Sequence, residues 1–152
     1  MVKYVDHINI VVSDLNRSVE FYTKLLGLKE TRRACLSGDW IEAIVGLKGV
    51  EADVAYVQPE GGGPRIELIH YRAPVGADLP ENALPNTRGL RHIAFQVEDM
   101  EAMYARLVDG GVAFVGPPVL VPSGVVEHDD GQKSLCYFHD PDGVVLELAA
   151  YV

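Results

Sequence analysis

Polar and apolar positions alternate over residues 4–12, placing His7 and Asn9 on one face of an extended chain and Ile8, Ile10 and Val12 on the other. The alternation ends at Ser13-Asp14, an N-cap signal, and Leu15, Val19, Tyr22, Leu25 and Leu26 then recur at helical spacing until Gly27 stops the helix. Strands are predicted over 28–35, 51–58 and 65–71, with a short helical turn at 40–45 and a tight turn at Gly61-Gly62-Gly63-Pro64. Residues 73–88 carry Pro74, Pro80 and Pro85 among small and polar residues, the composition of a connection between two units.

The pattern then starts again. Residues 89–100 read as a strand with His92, Ala94 and Gln96 on one face and Ile93, Phe95 and Val97 on the other, running into an Asp99 cap. A helix follows with Met100, Met103, Tyr104, Leu107 and Val108 inward and ends at Gly110-Gly111. A short strand at 112–115 is predicted next, then a Pro/Gly-rich loop through Gly131, in which His128 reads as solvated. Strands at 133–139 and 144–152 close the chain, joined by the turn Asp140-Pro141-Asp142-Gly143.

The two halves match by position. His7 and His92 stand 85 residues apart, as do Asp14 and Asp99, and Leu15 and Met100. Glu67 and Glu147 stand 80 apart, as do Gly63 and Gly143. A single domain of two βαβββ modules is expected, the first over 1–72 and the second over 89–152. The fold class is α+β, a curved mixed sheet with helices outside and the other face turned inward.

Composition narrows the partners. A length of 152 residues suits one core, and 48% hydrophobic with 23% charged residues is a globular composition. A net charge of −9 without a basic cluster argues against nucleic acid and anionic membrane, leaving a small molecule. No apolar run is long enough for a membrane helix and the start has no signal-peptide core, so a cytoplasmic location is expected. Cys35 and Cys136 form no metal or redox motif and are expected to be buried thiols.

Charge also gives the repeat a chemical meaning. His7, Glu67, His92 and Glu147 each have apolar neighbours aimed the opposite way, so all four are expected on the inward face. Two carboxylates and two imidazoles are costly to desolvate without compensation. One divalent metal ion provides it, and nitrogen and oxygen ligands suit Ni, Co, Mn, Fe or Zn, with about two positions left open in an octahedral shell. Open positions imply catalysis or substrate chelation rather than a purely structural site. The alternative is structural, with wall histidines and glutamates ion-paired to Arg65 and Arg91. Asn9, Arg65, Gln96 and Tyr137 share the inward face and are candidate substrate contacts, whereas His70 and Trp40 read as structural.

Taken together, Asp6-His7-Ile8, Asp14-Leu15, Phe21-Tyr22, Leu26-Gly27-Leu28, Ile66-Glu67-Leu68, Arg91-His92-Ile93-Ala94-Phe95, Tyr137-Phe138, Asp140-Pro141-Asp142-Gly143 and Leu146-Glu147-Leu148 resemble the vicinal oxygen chelate superfamily. That superfamily includes glyoxalase I, methylmalonyl-CoA epimerase, extradiol dioxygenases and bleomycin-binding proteins. The resemblance implies metal ligands at His7, Glu67, His92 and Glu147, and a homodimer. Two glutamates rather than one favour the glyoxalase and epimerase branch. Val11 stands where bacterial glyoxalase I carries an arginine, which argues against a glutathione conjugate.

The implied activity is that of a metal-dependent isomerase or lyase. It would abstract a proton next to a carbonyl of a small oxygen-rich substrate, with Glu147 or Glu67 as base and the enediolate or enolate held on the metal. The rival readings are an iron or manganese extradiol-type dioxygenase and a non-catalytic drug-binding protein.

Overall fold

The computed structural model describes residues 1–80, 84–125 and 131–152, and the chain divides into two units, Met1–Asp78 and Leu79–Val152. His128 lies outside the described residues.

The first unit runs β1 (His7–Val11), α1 (Leu15–Glu20), a π-helical turn (Phe21–Leu25), β2 (Lys29–Ser37), α2 (Asp39–Val45), β3 (Glu51–Gln58) and β4 (Arg65–Ala73). Its four strands lie in the order β1-β4-β3-β2, with β1 parallel to β4 and the other pairs antiparallel. Asp14 caps α1 by accepting from the Arg17 amide at 3.0 Å, satisfying one of the helix's orphan donors. Leu15, Val19 and Tyr22 are buried, along with Ile10, Ile66 and Leu68 of the sheet. Alternation sends Val54 and Ile69 to the other face, where they pack with Ile41 and Val50 around α2. The sheet is therefore covered by α1 on one face and, at one end of its other face, by α2.

The second unit repeats the plan with β5 (His92–Gln96), α3 (Met100–Asp109), β6 (Val119–Leu120), β7 (Lys133–His139) and β8 (Val145–Tyr151). Its order is β5-β8-β7-β6, again with the first and last strands parallel. Asp99 caps α3 as Asp14 caps α1, accepting from the Ala102 amide at 2.9 Å. β8 is buried on both faces from Val145 to Ala150, as befits a strand with a neighbour on each side.

Several expectations are corrected. Residues 112–115 form no strand: Phe114 makes one isolated bridge to Phe138 and stacks between it and Tyr104, at 5.5 and 4.6 Å. Gly116-Pro117-Pro118 then interrupts pairing, and β6 forms beyond it, inside the segment expected to be loop. β1 begins at His7 rather than Tyr4, because its partner β4 begins at Arg65, after Pro64. The first helix loosens into a π turn before Gly27 takes a left-handed φ of 79°. Trp40 is 55% exposed rather than core, since Ile41 is the α2 residue that faces the sheet. Cys35 is exposed, not buried, because β2 is an edge strand; Cys136, on the interior strand β7, is buried.

Candidate functional site

In the first unit, the parallel register puts His7 beside Arg65 and Asn9 beside Glu67, while the antiparallel register puts Tyr56 opposite Glu67. Residues paired across strands share a face, so all five side chains emerge together. Glu67, half-buried, is the centre of this group. Tyr56 donates its hydroxyl to Oε1, and the Asn9 amide donates to Oε2 at 2.9 Å. His7 Nε2 stands 3.6 Å from Glu67 Oε2, too far for a hydrogen bond. Its other nitrogen, Nδ1–H, donates to Asp6 Oδ2 at 2.9 Å, which leaves the Nε2 lone pair facing the glutamate.

Arg65 completes the cluster: its guanidinium donates to Asp6 and lies over the Tyr56 ring at 5.2 Å. The hydrogen bonds from His7 and Arg65 hold the Asp6 carboxyl below its usual pKa. Burial, then the hydrogen bond to Glu67 and its charge, push the Tyr56 phenol up to about 12. Tyr56 therefore keeps its proton at neutral pH and remains a hydrogen-bond donor to Glu67. An open recess of about 760 Å³, lined by residues including Tyr4, Gln58 and Pro64, adjoins the Asp6–Arg65 pair.

The second unit repeats the histidine and glutamate but changes their surroundings. His92 Nε2 stands 3.4 Å from Glu147 Oε2, and the Glu147 side chain is only 3% exposed. The register sets Ala94 beside Glu147 where the first unit has Asn9, and Tyr137 opposite Glu147 where the first has Tyr56. The Tyr137 ring packs on His92, with centroids 5.1 Å apart. Glu147 Oε1 accepts instead from Lys133 Nζ at 2.5 Å. Burial alone would lower the Lys133 pKa, but the hydrogen bond and charge of Glu147 hold it above its usual value. Gln96 is exposed on β5, beside Ala149.

Of the candidate ligands, then, His7 meets Glu67 and His92 meets Glu147. Among the described residues no group of three or more His, Cys, Asp or Glu is placed to hold a metal ion. Each pair nevertheless fits a cation: two donors about 2.1 Å from a divalent ion lie about 3.0–3.4 Å apart, close to the separations seen. The structural alternative is met in part, since Glu147 is ion-paired and His7 is hydrogen-bonded to Asp6, but the cation on Glu147 is Lys133 and neither expected arginine is the partner. Arg65 pairs with Asp6 rather than Glu67, and Arg91 Nε donates to the Leu90 carbonyl at 2.8 Å. His70 Nδ1–H donates to the Val12 carbonyl at 3.0 Å.

Sequence reasoning missed Asp6, Tyr56 and Lys133. Tyr56 was within reach, because Tyr56 and Tyr137 stand 81 residues apart, one more than the glutamates. Lys133 had no such signal: its register position opposite Tyr151 matches Ala52 opposite Tyr71 in the first unit.

Two units of this topology, each opening with a histidine strand and closing with a glutamate strand, define a paired βαβββ protein of the vicinal oxygen chelate type. Residues 4–148 match the family model of the Glyoxalase/Bleomycin resistance protein/Dioxygenase superfamily, and the chain belongs to that superfamily. It is 30% identical over 148 residues to a 2-epi-5-epi-valiolone epimerase from an Actinomyces species, covering 95% of this chain and 77% of the relative. It is 29% identical to a lactoylglutathione lyase from Pseudomonas aeruginosa, over 94% of this chain and 80% of that one. A glyoxalase family protein from Bacillus cereus superposes with a TM-score of 0.83 at 28% identity, covering 99% of this chain and 95% of the other.

Proposed function

We propose that the protein is a metal-dependent isomerase or lyase of the glyoxalase type that moves a proton next to a carbonyl in a small oxygen-rich substrate. The observation that carries this reading is the His–Glu pair found at the same register in both modules, Nε2 facing Oε2 at 3.6 and 3.4 Å. The family relatives that are a lyase and an epimerase support it.

His7 with Glu67, and His92 with Glu147, are the proposed protein ligands of a divalent ion from the set Ni, Co, Zn, Mn and Fe. Bound there, the ion would act as a Lewis acid on the substrate oxygens and lower the pKa of the adjacent carbon acid. The remaining chemistry belongs to the chain. Glu67 or Glu147, when not coordinated, would be the base, its freed Oε2 beside the imidazole taking the proton. Tyr56 and Asn9 hold Glu67 in place for this. Arg65, oriented by Asp6 and the Tyr56 ring, and Tyr137, held against His92, are the proposed substrate contacts, together with Asn9 and Gln96. Val11, 55% exposed, offers no cationic group to a glutathione carboxylate.

The test is exchange of substrate carbon-bound hydrogen for deuterium, followed by NMR across a panel of α-hydroxy and 2-oxo carbonyl compounds with each metal. Glu67→Gln or Glu147→Gln is expected to cut exchange at least ~100-fold. Unimpaired exchange in both variants, or dioxygen consumption with a catechol in place of exchange, overturns the assignment.

A further inference from the structure

The repeat keeps His and Glu in both modules but exchanges what holds the glutamate. Glu67 is bound by two neutral donors, the Tyr56 hydroxyl and the Asn9 amide. The corresponding positions around Glu147 are Tyr137, which packs on His92 instead, and Ala94, which has no donor. Glu147 is also the more deeply buried carboxylate, at 3% side-chain exposure against 16%. An ionised carboxylate there needs a partner. The one provided is the ammonium of Lys133, itself only 18% exposed, at a position where the first module has the buried Ala52.

We propose that Lys133 is a positioning residue, a built-in counter-cation that occupies Glu147 Oε1 and so presents the single oxygen Oε2 beside His92 Nε2. Two consequences follow from the geometry. Glu147 is a one-oxygen donor, because Oε1 is taken from the protein side. The charge of Glu147 is compensated before any metal arrives, so this half of the site is built in the metal-free protein. Among the described residues Glu67 has no cationic hydrogen-bond donor and relies on neutral ones. The metal part of the inference rests on the proposed function; the charge part does not.

Thermal melts of the metal-free protein, with and without saturating Ni²⁺ or Zn²⁺, separate these parts. Lys133→Met is expected to lower the metal-free Tm by about 5–10 °C, by stranding a buried carboxylate. Lys133→Arg should stay within about 2 °C of the parent, since it restores the charge. The double variant Lys133→Met/Glu147→Gln should recover most of the loss, because no uncompensated charge remains. Added metal should raise the Tm of Lys133→Met by more than it raises that of the parent, whereas a merely structural lysine would leave the two increments equal. Equal increments in a parent that does respond to metal overturn the positioning role. A double variant as unstable as Lys133→Met overturns the counter-cation role. If metal does not shift the parent at all, the proposed function fails, and the double variant alone decides whether Lys133 compensates Glu147.

Discussion

Cys136 illustrates how a single side chain reports its surroundings. Alternation places it between the inward-facing Leu135 and Tyr137 neighbours, and in the structure it is 3% exposed opposite Leu148. Burial raises its thiol to about 11, with the nearby Glu147 charge adding to the effect and the Leu148 backbone opposing it. A folded-state value above the usual 9.0 means that this thiol contributes stability in full below about pH 9, losing it as pH climbs through about 11. Alkylation with iodoacetamide at pH 8.5, followed by mass spectrometry, should label Cys35 and leave Cys136 unlabelled until the protein is unfolded. Equal labelling rates in the native protein would contradict the burial. Ser18 makes a complementary point: among the described residues its Oγ is the one buried side-chain polar atom without a hydrogen-bond partner. It occupies the inner face of α1 because the helical period puts it there, next to Val19 and Tyr22, and no donor or acceptor follows it.

At the scale of elements, the turn between β7 and β8 sets the register that places Glu147. Asp140 is buried and its Oδ1 accepts from the amides of Asp142 and Val144, both at 2.9 Å, while Gly143 takes a φ of 86°. The side chain adds to the backbone bonds of the tight turn, Asp140 N–H to the Val144 carbonyl and Gly143 N–H to the Asp140 carbonyl, both at 3.0 Å, and Gly143 takes the left-handed conformation that a β-carbon would strain. Asp140→Ala should cost about 1–3 kcal/mol by orphaning the two amides, a Tm loss of about 2–4 °C per kcal/mol that calorimetry would detect. A loss under about 1 °C would show that the turn holds without the carboxylate. Elements of this kind were legible in the sequence: the turn residues, both aspartate caps and the strands at 51–58 and 133–139 lie where alternation and cap chemistry predict. The segment after α3 was not legible. Its apolar residues 112–115 look like a strand, but Phe114 is drawn into an aromatic stack with Tyr104 and Phe138, and pairing resumes beyond the prolines.

For the molecule as a whole, metal binding should be readable as stability, since a ligand that binds only the folded form raises its unfolding free energy. On the proposed function, removing metal with a chelator should lower Tm, by about 5–10 °C for an ion previously present at about 100 times its dissociation constant. His7→Ala and His92→Ala should each reduce the metal content found by elemental analysis. Undiminished metal content in both variants would remove these histidines from the ligand set. No helix among the described residues is long and apolar enough to cross a membrane, and the net charge is −9.

The paired histidines and glutamates and their repetition were determined by the sequence alone. Period-two alternation is a local property, so His7, Glu67, His92 and Glu147 could be assigned to one kind of face without knowing any strand partner. What surrounds each glutamate was decided only by tertiary structure. Strand order and register depend on hydrogen bonds between distant segments, and these bring Asn9 and Tyr56 to Glu67 but Lys133 to Glu147, across 58, 11 and 14 residues of chain respectively. The repeat made the two carboxylates look equivalent; their donors make them different.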